Sequence, residues 1–228
     1  MFNIEVLDQF YNELSKSNGM SVAEFRQKYS MLLTESRTDR DAKDYRLGKD
    51  PWKKLRDEVA PVFRFLKYSQ INPSRIRFPL DNNTPDCWLL DVDGEDRGVE
   101  VTIERGRERY HLAKELNEAG EGRGFIGVQD DASQEEFDTQ MSSPQSTYST
   151  EQALDAMKSG VISCLKKKKN VRYSKVFYLL IQADLSVIPN QRWSTIENDL
   201  WQVACDLPFK EIHVIGNADG ELYGFQIK

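Results

Sequence analysis

The stretch Thr84-Pro-Asp-Cys-Trp-Leu-Leu-Asp-Val-Asp-Gly-Glu-Asp-Arg-Gly-Val-Glu-Val-Thr-Ile103 holds two apolar runs on either side of Asp93-Gly94. Asp-Gly between such runs is a hairpin signal, so strands are expected over 87–92 and 98–103. The twofold period of a strand puts Val99, Val101 and Ile103 on one face and Glu100 and Thr102 on the other. Closing the hairpin brings Asp86, at the mouth of the first strand, beside Glu100 in the second. Two carboxylates held so close repel each other. A divalent cation that prefers hard oxygen ligands, Mg²⁺ or Mn²⁺, relieves that repulsion. Asp91 and Asp93 are rival acids, but Asp91 is odd in parity relative to Asp86 and faces away unless a bulge intervenes.

Working outward, Arg75–Leu80 reads as a short strand before the hairpin. Asp50-Pro51 is a helix start, followed by Trp52, Leu55, Val59, Val62, Phe63 and Leu66 at helical spacing, with Pro61 expected to kink or divide the helix. Residues 2–15, with Phe2, Val6, Phe10 and Leu14, form a further helix. Ser21 and Glu24 have capping-box spacing for another, running to about Thr34. The polar stretch 35–49 is a linker or an exposed helix. After the hairpin, a helix is expected over 107–119 with Leu112, Ala113 and Leu116 inward, then a short strand at Phe125–Val128. A polar surface loop or insert at 129–149 is followed by a helix over 150–169. Lys175–Ala183 is a buried strand, 194–206 a helix, and Glu211–Ile215 and Leu222–Ile227 two closing strands. Interleaved helices and strands give an α/β fold with a mixed sheet. The expected division is a helical N-terminal extension, 1–50, and a domain over 51–228.

Composition narrows the function classes. The 228 residues include eleven Phe, nine Tyr and four Trp, enough for a packed core. The opening residues carry acids and no basic region, and no apolar run reaches membrane-span length, so a cytoplasmic protein with no membrane partner is expected. Three scattered cysteines fit neither a disulfide framework nor a zinc cluster. Two distant histidines speak against His-based metal sites and Ser-His-Asp triads. The net charge of −6 argues at first sight against a nucleic-acid partner. Its distribution reverses that. Residues 81–104 hold one base and eight acids, and 119–151 one base and seven acids, while 51–80 carry a net +5. A basic face can still hold an anion.

Pro85-Asp86, followed on the next strand by Glu100-Val101-Thr102, resembles the active-site hairpin of the PD-(D/E)XK nuclease superfamily. The resemblance covers roughly residues 51–184, and it implies a restriction-endonuclease-like αβββαβ core. It also implies metal-dependent hydrolysis of nucleic-acid phosphodiester bonds, with DNA the expected substrate. By the same resemblance Asp86, Glu100 and the Val101 carbonyl would hold Mg²⁺ or Mn²⁺. Glu58, on the helix before the first strand, would complete the set; ordinary helix surface is the other reading of Glu58.

The departure is Thr102, which stands where the family places lysine. Some members carry that lysine on a neighbouring helix. In the helix over 150–169, Leu154, Met157, Val161 and Leu165 form one stripe, and Lys158 falls on its edge. Lys158 is therefore the candidate, either beside the attacking water or simply laying its stem on the core with its amine in water. Thr102 remains the other candidate for that place. Arg105 and Arg107 flank the hairpin, and Lys166, Lys167, Lys168 and Lys169 form a run followed by Arg172. These are the expected phosphate contacts, although bases at a helix C-terminus also suit its dipole. The first 50 residues would be a dimerisation or recognition arm, which leaves a homodimer open. The rival function is an inactive nuclease-fold adaptor that binds a protein or nucleic-acid partner.

Overall fold

The computed structural model describes residues 4–69, 71–81, 83–143, 149–169, 173–187, 192–218 and 221–228; Phe2 and Arg172 lie outside them. Helices α1 (Ile4–Leu14), α2 (Val22–Thr34) and α3 (Asp39–Leu47) lead to α4 (Trp52–Lys54), a π-helical turn over Leu55–Val59, and α5 (Ala60–Tyr68). A short strand β1 (Met20–Ser21) precedes α2. Then come β2 (Arg75–Arg77), β3 (Cys87–Leu90), β4 (Arg97–Ile103), α6 (Gly106–Ala119), α7 (Gln134–Ser142), α8 (Thr150–Lys167), β5 (Tyr178–Gln182), α9 (Ser194–Ala204), β6 (Glu211–Ala218) and β7 (Glu221–Gln226). No helix among the described residues is long and apolar enough to cross a membrane.

The seven strands form one mixed sheet in sequence order. The pairs from β1 to β4 are antiparallel, β4–β5 and β5–β6 are parallel, and β6–β7 is antiparallel. Alternation along the central strands sorts the core into two layers. Val99, Val101, Tyr178 and Leu180 pack with Val59, Val62 and Phe65 beneath one face. Leu179, Ile181, Ile212 and Val214 pack with Met157, Val161, Leu165 and α9 beneath the other. β5 is buried along its whole length, as an apolar strand covered on both faces must be.

Three expectations about organisation are corrected. The N-terminal 50 residues are not a separate extension: Leu7, Phe10, Leu14, Phe25, Tyr29 and Leu32 share one core with α5, and β1 pairs with β2. Residues 125–128 form no strand, because the Ile126 and Val128 N–H groups are taken by the Glu108 carboxylate at 3.1 and 2.6 Å instead of by a neighbouring strand. Within 129–149, α7 forms under a Ser133–Glu136 capping box, burying Phe137 and Met141 against Val128. The apolar pair at i, i+4 was outweighed by the polar composition around it. α6 buries only Glu108, and its Leu112 packs on that same small cluster.

Pro61 neither breaks nor ends its helix. Proline cannot donate to the carbonyl four residues back, and its ring pushes on that carbonyl. Here the preceding turn is π-helical, with Ala60 N–H reaching back to the Leu55 carbonyl. That turn carries Asp57 and Glu58 toward the sheet.

Candidate functional site

The Cα register pairs Cys87 with Val99, after which β3 has ended and β4 runs on to Ile103 beside β5 alone. Asp86 occupies the gap. Its Oδ2 accepts the Val101 N–H at 2.7 Å, the place a carbonyl of a longer β3 would have taken. In an extended strand a residue's N–H and C=O leave on the same edge, so the Val101 carbonyl is directed to the same gap. Glu100 stands next to it on β4, 5 % exposed. Its Oε1 accepts Lys168 Nζ at 2.7 Å and the Tyr173 hydroxyl at 3.3 Å, while its buried Oε2 has no partner among the described residues.

The electrostatics follow from this crowding. Burial, then the neighbouring Glu100 charge, pushes the Asp86 carboxyl up to about 7; Glu58 adds to the rise, and the Val101 N–H and Lys168 oppose it. Burial raises the Glu58 carboxyl against the pull of Lys54, its ion-pair partner one turn earlier. For Lys168, burial is the largest effect and works against the charge, yet the hydrogen bond to Glu100 together with the charges of Glu100, Tyr173 and Asp86 outweighs it and holds the ammonium above its ordinary value. Its Nζ also sits 5.6 Å from the Tyr173 ring centroid, a cation–π contact. Three carboxylates, Glu58, Asp86 and Glu100, thus influence one another around two lysines.

α8 explains how Lys168 arrives there. A parallel β4–β5 pair needs a crossover, and α8 returns antiparallel to β4 across the sheet. Gly160 rests on Glu104, where a Cβ would lie only 2.0 Å from Oε1. One turn on, the Cys164 thiol approaches the Ile103 carbonyl at 3.8 Å. Lys168, just past the last helical turn, then reaches Glu100.

Lys158 is not brought to the carboxylates. It lies toward α9, bonded to Asp199 at 3.3 Å and beside Asp155 at 3.4 Å. Thr102 shares the Glu100 face and bonds the Cys164 thiol, lowering it against the larger effect of burial, which pushes it up to about 11. Arg105 and Arg107 are not free phosphate contacts. Arg105 is 5 % exposed, paired with Glu104 and within 3.6 Å of Glu108, and stacked 4.0 Å above Phe125. Arg107 donates to the Ala132 carbonyl at 2.7 Å and to Gln134 at 3.0 Å, over the Phe137 ring. Arg107 was read as a surface base because the groups that bind it lie up to 27 residues away; Arg105 has its acids beside it in sequence, at Glu104 and Glu108, but their burial leaves no mark on the local pattern. The lysine run divides: Lys166, Lys167 and Lys169 are exposed, and Lys168 is turned in. Asp91 pairs with Arg97 across the hairpin, apart from the gap.

Among the described residues no group of three or more His, Cys, Asp or Glu side chains is arranged to hold a metal ion. The donor chemistry at the gap nonetheless suits a hard cation: two carboxylates and a backbone carbonyl, with Glu100 Oε2 buried and unpartnered. Comparison with protein-family models, with curated proteins and with solved structures finds no match.

Proposed function

We propose that the protein is a metal-dependent nuclease that hydrolyses phosphodiester bonds of nucleic acid, with DNA the expected substrate. The observation that carries this is Lys168 Nζ at 2.7 Å from Glu100, beside Asp86 in the gap between β3 and β4. The lysine missing at position 102 has a substitute, drawn from the end of α8. The order β2-β3-β4-β5, antiparallel, antiparallel, then parallel, with helices over both faces, supports an αβββαβ core of the restriction-endonuclease-like kind.

Asp86, Glu100 and the Val101 carbonyl would hold Mg²⁺ or Mn²⁺, with Glu58 behind Asp86. Such an ion supplies a Lewis acid for a phosphoryl oxygen and a bound water of lowered pKa. The chain's own residues do the rest. Asp86, raised to about 7, is partly ionised at neutral pH, and a bound cation would favour its ionised form. Lys168 brings a fixed positive charge to where negative charge grows on the phosphate. Tyr173 and Glu100 keep that ammonium from swinging away. Exposed Lys166, Lys167 and Lys169 are set to meet the phosphate backbone, each contact adding salt-dependent affinity.

The adaptor reading draws on one observation: Lys168 already neutralises Glu100, so the gap is partly satisfied without a cation. Incubating wild type and Glu100→Gln with linear and supercoiled DNA and with RNA, with Mg²⁺, Mn²⁺ or EDTA, separates the two. Metal-dependent cleavage lost by at least about 10³-fold in Glu100→Gln is the expected result. Wild type that cleaves none of these substrates, yet binds one, is the adaptor.

A further inference from the structure

The parallel strands β4, β5 and β6 end together. Glu104, Ala183–Asp184 and Gly216–Asn217 at those ends frame a pocket of about 370 Å³, closed by Arg64 of α5 and by α6. Crevices outside the carboxyl ends of parallel strands are where open α/β sheets take ligands, and this volume lies in the usual range for small molecules.

Most charges around the pocket are already answered. Arg105 pairs with Glu104, and Arg123 with Glu115. Glu108 holds the Ile126 and Val128 N–H groups. Asp184 turns to Ser186, whose hydroxyl it accepts at 2.6 Å. Arg64 and Arg109 are different. Both donate to the amide oxygen of Gln182, at 3.0 and 3.1 Å, with the amide orientation assigned from these partners. Gln182 is 6 % exposed, and among the described residues neither guanidinium has a carboxylate within ion-pair distance. An amide oxygen carries no charge, so two cations converge on a neutral acceptor. Burial, and then the nearby Arg56 and Arg64, lower the Arg109 pKa against the opposing pull of the Asp57 charge. Arg105, the residue that turns the chain into α6, sits at φ 50, a left-handed conformation uncommon for a residue with a side chain and found preferentially at binding sites.

We propose that this pocket binds the phosphate of a phosphomonoester of nucleotide size, with Arg64 and Arg109 as the paired donors and Leu112 and Phe125 as the apolar wall for its organic part. A dianion cancels both charges, and its three oxygens accept two guanidinium forks, whereas a carboxylate is filled by one. The ligand is either a free nucleotide or the phosphorylated end of a strand. The site is built from residues other than the carboxylate gap, and it stands whether or not that gap is catalytic.

Calorimetric titration in EDTA tests this with deoxyadenosine 5′-monophosphate, deoxyadenosine, and an oligonucleotide carrying either a 5′-phosphate or a 5′-hydroxyl. The expected result is that the nucleotide or the phosphorylated strand binds at least about tenfold tighter than its unphosphorylated twin. That preference is lost in both Arg64→Gln and Arg109→Gln, each checked for native circular dichroism, and kept in Glu100→Gln. Preference for the phosphorylated strand alone assigns the site to strand ends, and binding of the mononucleotide assigns it to free nucleotide. Equal binding of phosphorylated and unphosphorylated ligands, or an undiminished preference in a folded arginine variant, overturns the proposal.

Discussion

The middle of the long strand β4 and its C-terminal end carry charge in opposite ways. At Glu100, acids outnumber bases: Glu58, Asp86 and Glu100 surround Lys54 and Lys168, and one carboxyl is left near neutrality. Past Ile103 the balance tips the other way, with Arg64 and Arg109 sharing one amide oxygen beside the paired Glu104 and Arg105. One strand therefore carries a place short of positive charge and a place short of negative charge, about 13 Å apart at some 3.3 Å per residue. What separates them is the partner each cation meets. Lys168 meets a carboxylate, Glu100, that also accepts the Tyr173 hydroxyl, whereas Arg64 and Arg109 meet a neutral amide.

The largest break in this contrast comes from Lys168→Met. It leaves Glu100 buried without its cation, a change worth about 3–5 kcal/mol of stability, and it removes the charge proposed to act in catalysis. Urea unfolding at neutral pH should show that loss. Metal-dependent cleavage should fall by about 10²-fold or more. At the other end, Arg105→Met strips Glu104 and Glu108 of their cation and should cost about 3 kcal/mol by the same unfolding measurement, with no change in the metal dependence of cleavage.

A comparable effect concerns pH. Burial and Glu100 raise Asp86 from its ordinary 3.8 to about 7 in the folded chain. Between those values the native state holds a proton that the unfolded chain has released, so stability falls as pH rises from about 4 and the loss is complete above about 7. In EDTA this amounts to roughly 4 kcal/mol. Guanidinium unfolding across pH 4–8 should show the slope, and Asp86→Asn should flatten it, leaving the part due to Glu104, which burial also lifts to about 7. Added Mg²⁺ should reverse the slope in wild type, because the ion binds only the ionised carboxylate. The smallest effect is that of Lys158→Ala. Its partners are surface acids on α8 and α9, so stability should change by less than about 0.5 kcal/mol and cleavage not at all.

Much of the sheet was legible because period-two alternation and Asp93-Gly94 are local signals. The facing of Glu100 against Val99 and Val101 and the stripe on α8 follow from spacing and are seen in the structure, while the buried strand expected over Lys175–Ala183 is seen over Tyr178–Gln182 alone. What spacing could not supply was the choice among lysines. Lys158 lies on the edge of the stripe in projection, but projection ignores position along the axis. Lys168 is four residues from Cys164 and seven from Val161, hence on the same stripe, and a right-handed crossover obliges the end of α8 to lie over the start of β4. That topological argument was available from the sequence once β4 and β5 were taken as parallel neighbours. The arginine pocket was hidden for another reason: Arg64, Arg109 and Gln182 come from three separate elements, and nothing in their spacing announces that they meet.

Gly160 gives the helix above β4 its clearance. α8 lies on the strand like a beam, and the missing side chain at 160 lets one end settle onto Glu104. Eight residues further on, about 12 Å at 1.5 Å per residue, the other end delivers Lys168 to Glu100. Even a methyl group inserted as a shim at 160 would tilt the beam, and the tilt would be read out as a lysine lifted from its carboxylate. The two charged places along β4 are thus levelled by one helix, with its fulcrum at a residue that carries no charge.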